Sequence, residues 1–456
     1  MLDVIPALSA GGAGRAALTI AAAHAGTGPE HRIASLRPAD PTMAAAARRA
    51  DVVVVDAAEC AQLHTELAAA DIVQLHFWNS PELYELLRSG LPPTRLLVWS
   101  HVAGDRPPQV LPAELVGHAD QVLASTPVTT NLPGMEALEV VPAVGGWDRL
   151  SGSRRRAHRG FTVGYVGTVD SVKMHPRFVE LGAAINVPGV RVVVCGDGGG
   201  LWGLRHEIAA RGLGDRFEVR GYVENVAGVL GELDVFGYPL SPENYSASEL
   251  VLQEAMFAGV PPVLLPHGAA ALSVEHGRTG LIAADEADYV QKIEQLHADP
   301  DLRKRLGRAA SLHARRAWDP EHLSRRWADI YGAAMELPKR KRVWPWPAAE
   351  GGSAFARALG NGAARDFATS MHDGLSARAE EADRSIAECS ALLAFADGGI
   401  LDYRRRYSDD RWLRLWSGLA LLGHGHRVLA AGELASAVKL GCDADRVAPH
   451  LYKAMA

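Results

Sequence analysis

Cysteine is scarce in this chain: four occur among 456 residues, Cys60, Cys195, Cys389 and Cys442. Their wide spacing fits neither a disulfide framework nor a zinc-ligand pattern, so small buried thiols in a reducing compartment are expected. No apolar run is long enough to span a membrane, and the N-terminus lacks a charged stretch followed by an apolar one. Neither stable membrane insertion nor a leader is therefore expected, and the chain reads as soluble and cytoplasmic. An excess of positive charge is missing too. Lys and Arg number 47 against 53 Asp and Glu, a formal net charge of -6, which argues against nucleic acid as a partner. The hydrophobic share of 48% and charged share of 22% are those of an ordinary globular protein, and the length suits about two to three domains.

What the chain does have is a repeated alternation of short apolar runs and helical segments. In residues 1–150 the runs are Leu2–Leu8, His31–Leu36, Asp51–Val55, Asp71–His76, Arg95–His101, Gln121–Ser125 and Val140–Val144. A second series follows in residues 161–336: Phe161–Val166, Val190–Cys195, Phe217–Val219, Val235–Pro239, Pro262–Leu265 and Leu281–Ile282. Parallel sheets wrapped by helices require this pattern, and their ligands gather at the carboxyl ends of the strands. The polar, basic stretch 151–160, SGSRRRAHRG, reads as the linker between the two halves.

Residues that close the runs are therefore the candidate site. After the first run comes Ser9-Ala10-Gly11-Gly12-Ala13-Gly14-Arg15, where glycines allow close backbone approach and a helix start offers unpaired amides. His76, Trp78 and Asn79 end another run and form a candidate acceptor wall, since polar rings dock on aromatic faces beside amides. The segment Tyr238–Val263, YPLSPENYSASELVLQEAMFAGVPPV, predicts a strand, a turn and a helix opening near Ser248, capped by Ser246 or Ser248 and stopped by Gly259. The first amides of that helix, over Ser246, Ala247, Ser248, Glu249 and Leu250, suit a phosphate. Glu254, deeper in the helix, could accept both hydroxyls of a ribose.

Here ELVLQEAMFAGVPPVLL and the following HGAAALSVEHGRTGLIA resemble the donor-binding segment of glycosyltransferase family 4, retaining enzymes of the GT-B fold. The resemblance implies an α/β chain of two Rossmann-like parallel-sheet domains facing a cleft, with a nucleoside-diphosphate sugar, UDP- or GDP-linked, as substrate and no cofactor or metal. By the same resemblance Glu254 would bind the ribose. The family places another Glu earlier, in an E-x-x-x-x-x-x-x-E pattern; Ser246 stands at that spacing, and Glu243, Ser246 and Glu249 share the candidacy. Lys173 matches the lysine of the family's G-R-x-x-x-x-K-G, whereas Thr168 stands in place of its arginine, a loss for which helix amides, Arg15 or Arg177 could compensate. Gly12 and Gly14 resemble the family's phosphate-facing loop. His101 matches a histidine beside the transferred sugar, and Tyr222 falls where the base is read.

The implied chemistry is glycosyl transfer with retention of configuration by front-face attack, in which His101, Lys173 and Glu249 are the catalytic candidates. The acceptor would be a small soluble molecule, such as a natural-product scaffold or a thiol. A cell-envelope glycan or lipid acceptor, a sugar-nucleotide epimerase and a non-catalytic scaffold are the alternatives. Beyond the resemblance, 337–352 (LPKRKRVWPWPAAEGG) reads as a strap, and 353–456 as an α-helical extension. Trp412, Trp416, Leu419 and Leu422, then Val428, Ala431, Leu434, Ala435 and Val438, suggest a single tetratricopeptide-like hairpin. One hairpin cannot bury its own face, so it is expected to pack on the enzyme or to join a homodimer.

Overall fold

The computed structural model describes residues 1–26, 28–56, 60–150, 160–347, 349–371 and 376–456. The linker read at 151–160 falls outside them except for Gly160. In the first lobe, β1 (Leu2–Ile5), β2 (Arg32–Ser35), β3 (Val53–Asp56), β4 (Val73–Phe77) and β5 (Leu96–Ser100) are followed by an antiparallel hairpin, β6 (Asp105–Arg106) with β7 (Gln109–Val110). The strands β8 (Gln121–Ala124) and β9 (Glu139–Val140) complete a parallel sheet of order β3-β2-β1-β4-β5-β8-β9. The second lobe holds β10 (Phe161–Val166), β11 (Val190–Cys195), β12 (Phe217–Gly221), β13 (Val235–Tyr238), β14 (Pro262–Leu264) and β15 (Leu281–Ile282), ordered β12-β11-β10-β13-β14-β15. Every pairing in both sheets is parallel.

Strands such as LDVI and FTVGYV are buried along their whole length, as sheets covered by helices on both faces demand. In each sheet the order reverses beside the first strand, between β1 and β4 and between β10 and β13. A crevice opens at such a point. The helix Pro320–Met335 returns to the first lobe, where Trp327 packs edge-on against Trp99 at 4.8 Å between centroids.

The extension is a bundle rather than one hairpin: among the described residues, eight helices lie between Gly351 and Met455. Arg411–Gly423 and Arg427–Lys439 do pack as a close pair, with Gly418 set so tightly on the second helix that a Cβ would lie 2.6 Å from Leu434. The buried face of the second helix is Ala430, Leu434 and Ala437 with Glu433, while Val428, expected inside, is 87% exposed. Glu433 explains the rotation: it accepts from Arg404 and Arg414, and turns the helix toward those partners.

This bundle docks on the first lobe, and one apolar cluster unites Leu75, Phe77 and Tyr84 with Phe355, Tyr403 and Trp416. At the seam the buried Asp402 accepts from Arg37 Nη2 at 2.9 Å and from the Gly398 amide at 2.8 Å. The strap lies along the same lobe, its Arg340 and Arg342 paired with Asp120 and its Trp346 stacked on Tyr84. Removing one partner of a buried pair leaves an uncompensated charge. Asp402→Ala is therefore expected to destabilise the full chain by about 2 to 3 kcal/mol in urea and to speed proteolysis within the last hundred or so residues. Unchanged stability and digestion would show that the seam does not hold the bundle.

Candidate active site

The crevice between the lobes is a cleft of about 1020 Å³. Its rear wall is made of the turns that end β10, β11 and β12, pressed backbone to backbone. Gly167 N–H donates to the Cys195 carbonyl at 3.0 Å, Gly196 N–H to the Gly221 carbonyl at 2.8 Å, and Val169 N–H to the Asp197 carbonyl at 2.9 Å. A Cβ on Gly196 would lie 1.8 Å from the Gly167 carbonyl oxygen, so the glycine is a steric requirement of this wall. Lys173 is carried by the next turn, where Asp170 Oδ1 accepts from the Val172 and Lys173 amides at 3.0 and 2.8 Å. Thr168 and the exposed Tyr222 line the same wall.

The helix expected near Ser248 spans Leu250–Phe257, with Glu249 at its N-cap and no side-chain cap. Ser246 and Ser248 do not cap it. Ser246 pairs with Val102 of the first lobe, and the neighbouring Tyr245 carbonyl accepts from Ala103 N–H at 3.0 Å. Ser248 Oγ donates to the Ser125 carbonyl and accepts from Ala143 N–H, both at 3.3 Å. The first lobe has claimed both serines. Ser246 and Ala247 consequently lie outside the cleft lining, which takes Ser248, Glu249, Leu250 and Val251 from this segment.

Two buried carboxylates stand on this helix. Glu249 accepts from Tyr238 Oη at 2.9 Å and from Asn244 Nδ2 at 3.2 Å, and pairs with Lys173 Nζ at 2.9 Å. Glu254, 1% exposed, is held by two arginines: Arg15 from the first helix, and Arg149, whose Nε lies 3.0 Å from Oε1 and Nη2 3.2 Å from Oε2. Arg149 was not among the sequence candidates. Its only signal was a cation just before the basic linker. Burial lowers its pKa, Glu254 opposes that, and the neighbouring Arg15 lowers it further. Arg15, Arg149 and Lys173 thus meet two buried carboxylates, which leaves one positive charge in excess at the floor, while Asp148, Asp197 and Glu224 sit on the exposed rim. Arg177 is no part of this: it lies on the surface, paired with Glu180 and Glu286.

On the first lobe the wall is not where the sequence suggested. Gly11, Gly12, Arg15, Leu18 and Thr19 line the cleft together with Thr42, Met43, Ala46 and Arg49 of the second helix. Gly14 is buried and turned away, where a Cβ would meet the Ser9 carbonyl at 2.2 Å. His76, Trp78 and Asn79 are buried, and none lines the cleft. Asn79 Nδ2 donates to the Pro108 carbonyl at 2.7 Å, and its Oδ1 accepts from Tyr403 Oη at 2.9 Å, because the helical extension covers this strand end. Glu243 also lies outside the cleft lining. His101 is half-buried; its Nε2 lies 2.9 Å from His76 Nδ1, and His76 Nε2 lies 3.2 Å from Asp3 Oδ1.

Two parallel-sheet lobes with their strand ends facing one cleft define the GT-B class. The structure of Anabaena Alr3699/HepE in complex with UDP-glucose superposes with a TM-score of 0.60 at 16% identity, over 73% of this chain and 99% of that one. Residues 149–313 match the model of the family Glycosyl transferases group 1. A D-inositol 3-phosphate glycosyltransferase of Streptomyces bingchenggensis (strain BCW-1) is 33% identical over 143 residues, 30% of this chain and 30% of that protein. One of the same name from Corynebacterium jeikeium (strain K411) is 26% identical over 291 residues, 54% of this chain and 68% of that protein. The chain thus spans under a third of the first relative's length and about two thirds of the second's. The second lobe thus matches the group 1 glycosyl transferases, and the chain is similar to proteins of the glycosyltransferase family 4 type.

Burial on its own would raise the Asp3 carboxyl, but His31 and then His76 outweigh it and hold it well below the usual carboxylate range. A depressed folded-state value contributes stability that is complete above the unfolded value, about 3.9, and is lost as the pH falls toward the folded value. Between about pH 5 and pH 2 the wild type should therefore lose stability more steeply than Asp3→Asn, as read by urea midpoints across that range. Parallel curves would remove Asp3 from the acid response.

Proposed function

We propose that the chain transfers a sugar from a nucleoside-diphosphate sugar to a small acceptor, with the donor seated on the second lobe. One observation carries the reading: Arg15, Arg149 and Lys173 line the cleft beside the opening of Leu250–Phe257 together with Glu249, and Glu254 lies buried directly behind Arg15 and Arg149. A diphosphate brings about two negative charges and needs cations that remain in place as the glycosidic bond breaks. Arg15 and Arg149 together supply what Thr168 cannot in the place of an arginine. Glu254 is then freed to accept the ribose hydroxyls, as in the family that the chain resembles, and the unpaired amides of the helix opening complete the phosphate cradle.

In this reading the bond between the anomeric carbon and the phosphate oxygen breaks while the acceptor oxygen attacks from the same face. The acceptor proton passes to the departing phosphate oxygen, so configuration is retained with neither a protein nucleophile nor a metal. Tyr238, Asn244 and Lys173 hold the Glu249 carboxylate in place at the cleft. With the extension covering Asn79, the acceptor enters along Gly11, Thr42, Met43 and Arg49. An exposed guanidinium there suits a polyol bearing an anionic group, in keeping with relatives named for D-inositol 3-phosphate.

Calorimetry with UDP-, GDP- and TDP-sugars tests the site. Glu254→Gln and Lys173→Ala should each weaken the preferred donor by about tenfold or more with the fold intact by circular dichroism. Failure of every donor to bind the wild type would sink the reading. Proton NMR of the product checks the stereochemistry: the anomeric configuration of the donor should be kept, and an inverted product would rule out front-face attack.

A further inference from the structure

The turn that carries Lys173 is fastened to the second lobe through its backbone. Asp170 Oδ1 accepts from the Val172 and Lys173 amides, Ser241 N–H donates to the Lys173 carbonyl at 2.8 Å, and His175 N–H donates to the Pro239 carbonyl at 3.1 Å. Val169 and Met174, on either side, are buried in the core of that lobe. Val172 faces elsewhere. It is buried too, but the apolar cluster it joins holds Leu392 and Ala396 of the helical extension, with Tyr245 packed beside them. Tyr245 in turn follows Asn244, whose Nδ2 donates to Glu249 Oε1 at 3.2 Å. Lys173 and Glu249 form one ion pair at 2.9 Å, and each side of that pair therefore stands next to a residue pressed on the same patch of the extension.

The patch is itself held by the first lobe. Leu392 lies in the short helix Ala391–Phe395, opened by Ser390, whose Oγ accepts from Leu393 N–H at 3.2 Å. Just beyond that helix Gln109 Nε2 donates to the Asp397 carbonyl at 2.5 Å, and Asn79 Nδ2 donates to the Gly398 carbonyl at 3.4 Å. The approach there is so close that a Cβ on Gly398 would lie 2.6 Å from the Asn79 carbonyl oxygen. Residues 390–398 are thus clamped to one lobe and press an apolar side on the other. Interiors are close-packed, so a buried contact of this kind transmits the loss of a few methyl or methylene groups to its neighbours. Cutting Leu392 back removes the cover of Val172, and Val172 shares a peptide bond with Lys173.

We propose that Leu392 and Ala396 are positioning residues for the donor site: docked on the first lobe, the extension braces the Lys173 turn of the second and holds the ammonium where it meets the donor's diphosphate. The task of Lys173 rests on the glycosyl-transfer reading, whereas the brace stands on the packing alone. It gives the extension a part in the chemistry although none of its described residues lines the cleft. A charge-assisted hydrogen bond weakens with distance and misalignment, so a lysine shifted by a fraction of an ångström loses part of its hold on a phosphate.

Calorimetry on the full chain with UDP and GDP, taking whichever the wild type binds more tightly, reads the brace without an acceptor. Leu392→Ala should weaken that nucleotide about fivefold or more, and Leu392→Met, which refills the volume, should restore it to within about twofold. In a Lys173→Ala background the same Leu392→Ala change should cost less than about twofold, because the residue acts through the lysine. Leu434→Ala opens a gap of the same kind inside the bundle; it should lower the urea midpoint comparably and leave the nucleotide Kd unchanged. Wild-type affinity in a folded Leu392→Ala overturns the proposal, as does an equal loss with and without Lys173, or a matching loss in Leu434→Ala. Should Leu392→Ala fail to fold, Val172→Ala opens the same contact from the other lobe and is judged by the same criteria. If the wild type binds neither nucleotide, the glycosyl-transfer reading falls. The brace is then read from the urea midpoints of Leu392→Ala, Val172→Ala and the double variant: losses that fall short of their sum keep it, and additive losses remove it.

Discussion

A single buried carboxylate joins the halves of this molecule. Glu254 sits inside the second lobe and takes its partners from elsewhere: Arg15 from the first helix of the chain and Arg149 from the residues that lead into the linker. An ionised group with 1% exposure persists only if it is paired. That requirement fixes where the first lobe must stand. Around it the serines of the 240–248 loop, instead of capping their helix, bind the first-lobe backbone at Val102, Ser125 and Ala143. The cleft is therefore shaped by a contact between lobes as much as by either sheet.

The helical extension acts on the other side of the first lobe. By burying Asn79 and packing Tyr403 against it, the bundle removes one strand end from the ligand edge and leaves the first two helices as the open face. It also touches the second lobe, where Leu392 and Ala396 meet Val172, the neighbour of Lys173. The extension is thus continuous with the site's surroundings through van der Waals contact at one residue and hydrogen bonds at another.

The parts of the site that lie within one turn or one helix were legible in the linear chain. Glu254 inside an apolar helix follows from local pattern, since caps and apolar periodicity mark such a helix, and Lys173 follows from the resemblance. Illegible were the features that depend on a distant partner. Arg149 looked like a linker cation, Asn79 like an open wall, and Ser246 like a cap, because nothing local announces which surface will press on them. The line from His31 through Asp3 and His76 to His101 is the extreme case, since two members lie in strands, one just before a strand and one just after, and they meet only when the strands are stacked side by side.

By itself, then, the sequence determined two alternating α/β halves, the places where their strands end, and a terminal helical part, because apolar periodicity and turn chemistry are local properties of the chain. Tertiary structure decided which charges neutralise one another, which face of the extension is buried, and which strand ends stay open. Those outcomes depend on desolvation and pairing across hundreds of residues, as between Arg37 and Asp402 or Arg15 and Glu254, and no short-range pattern encodes them.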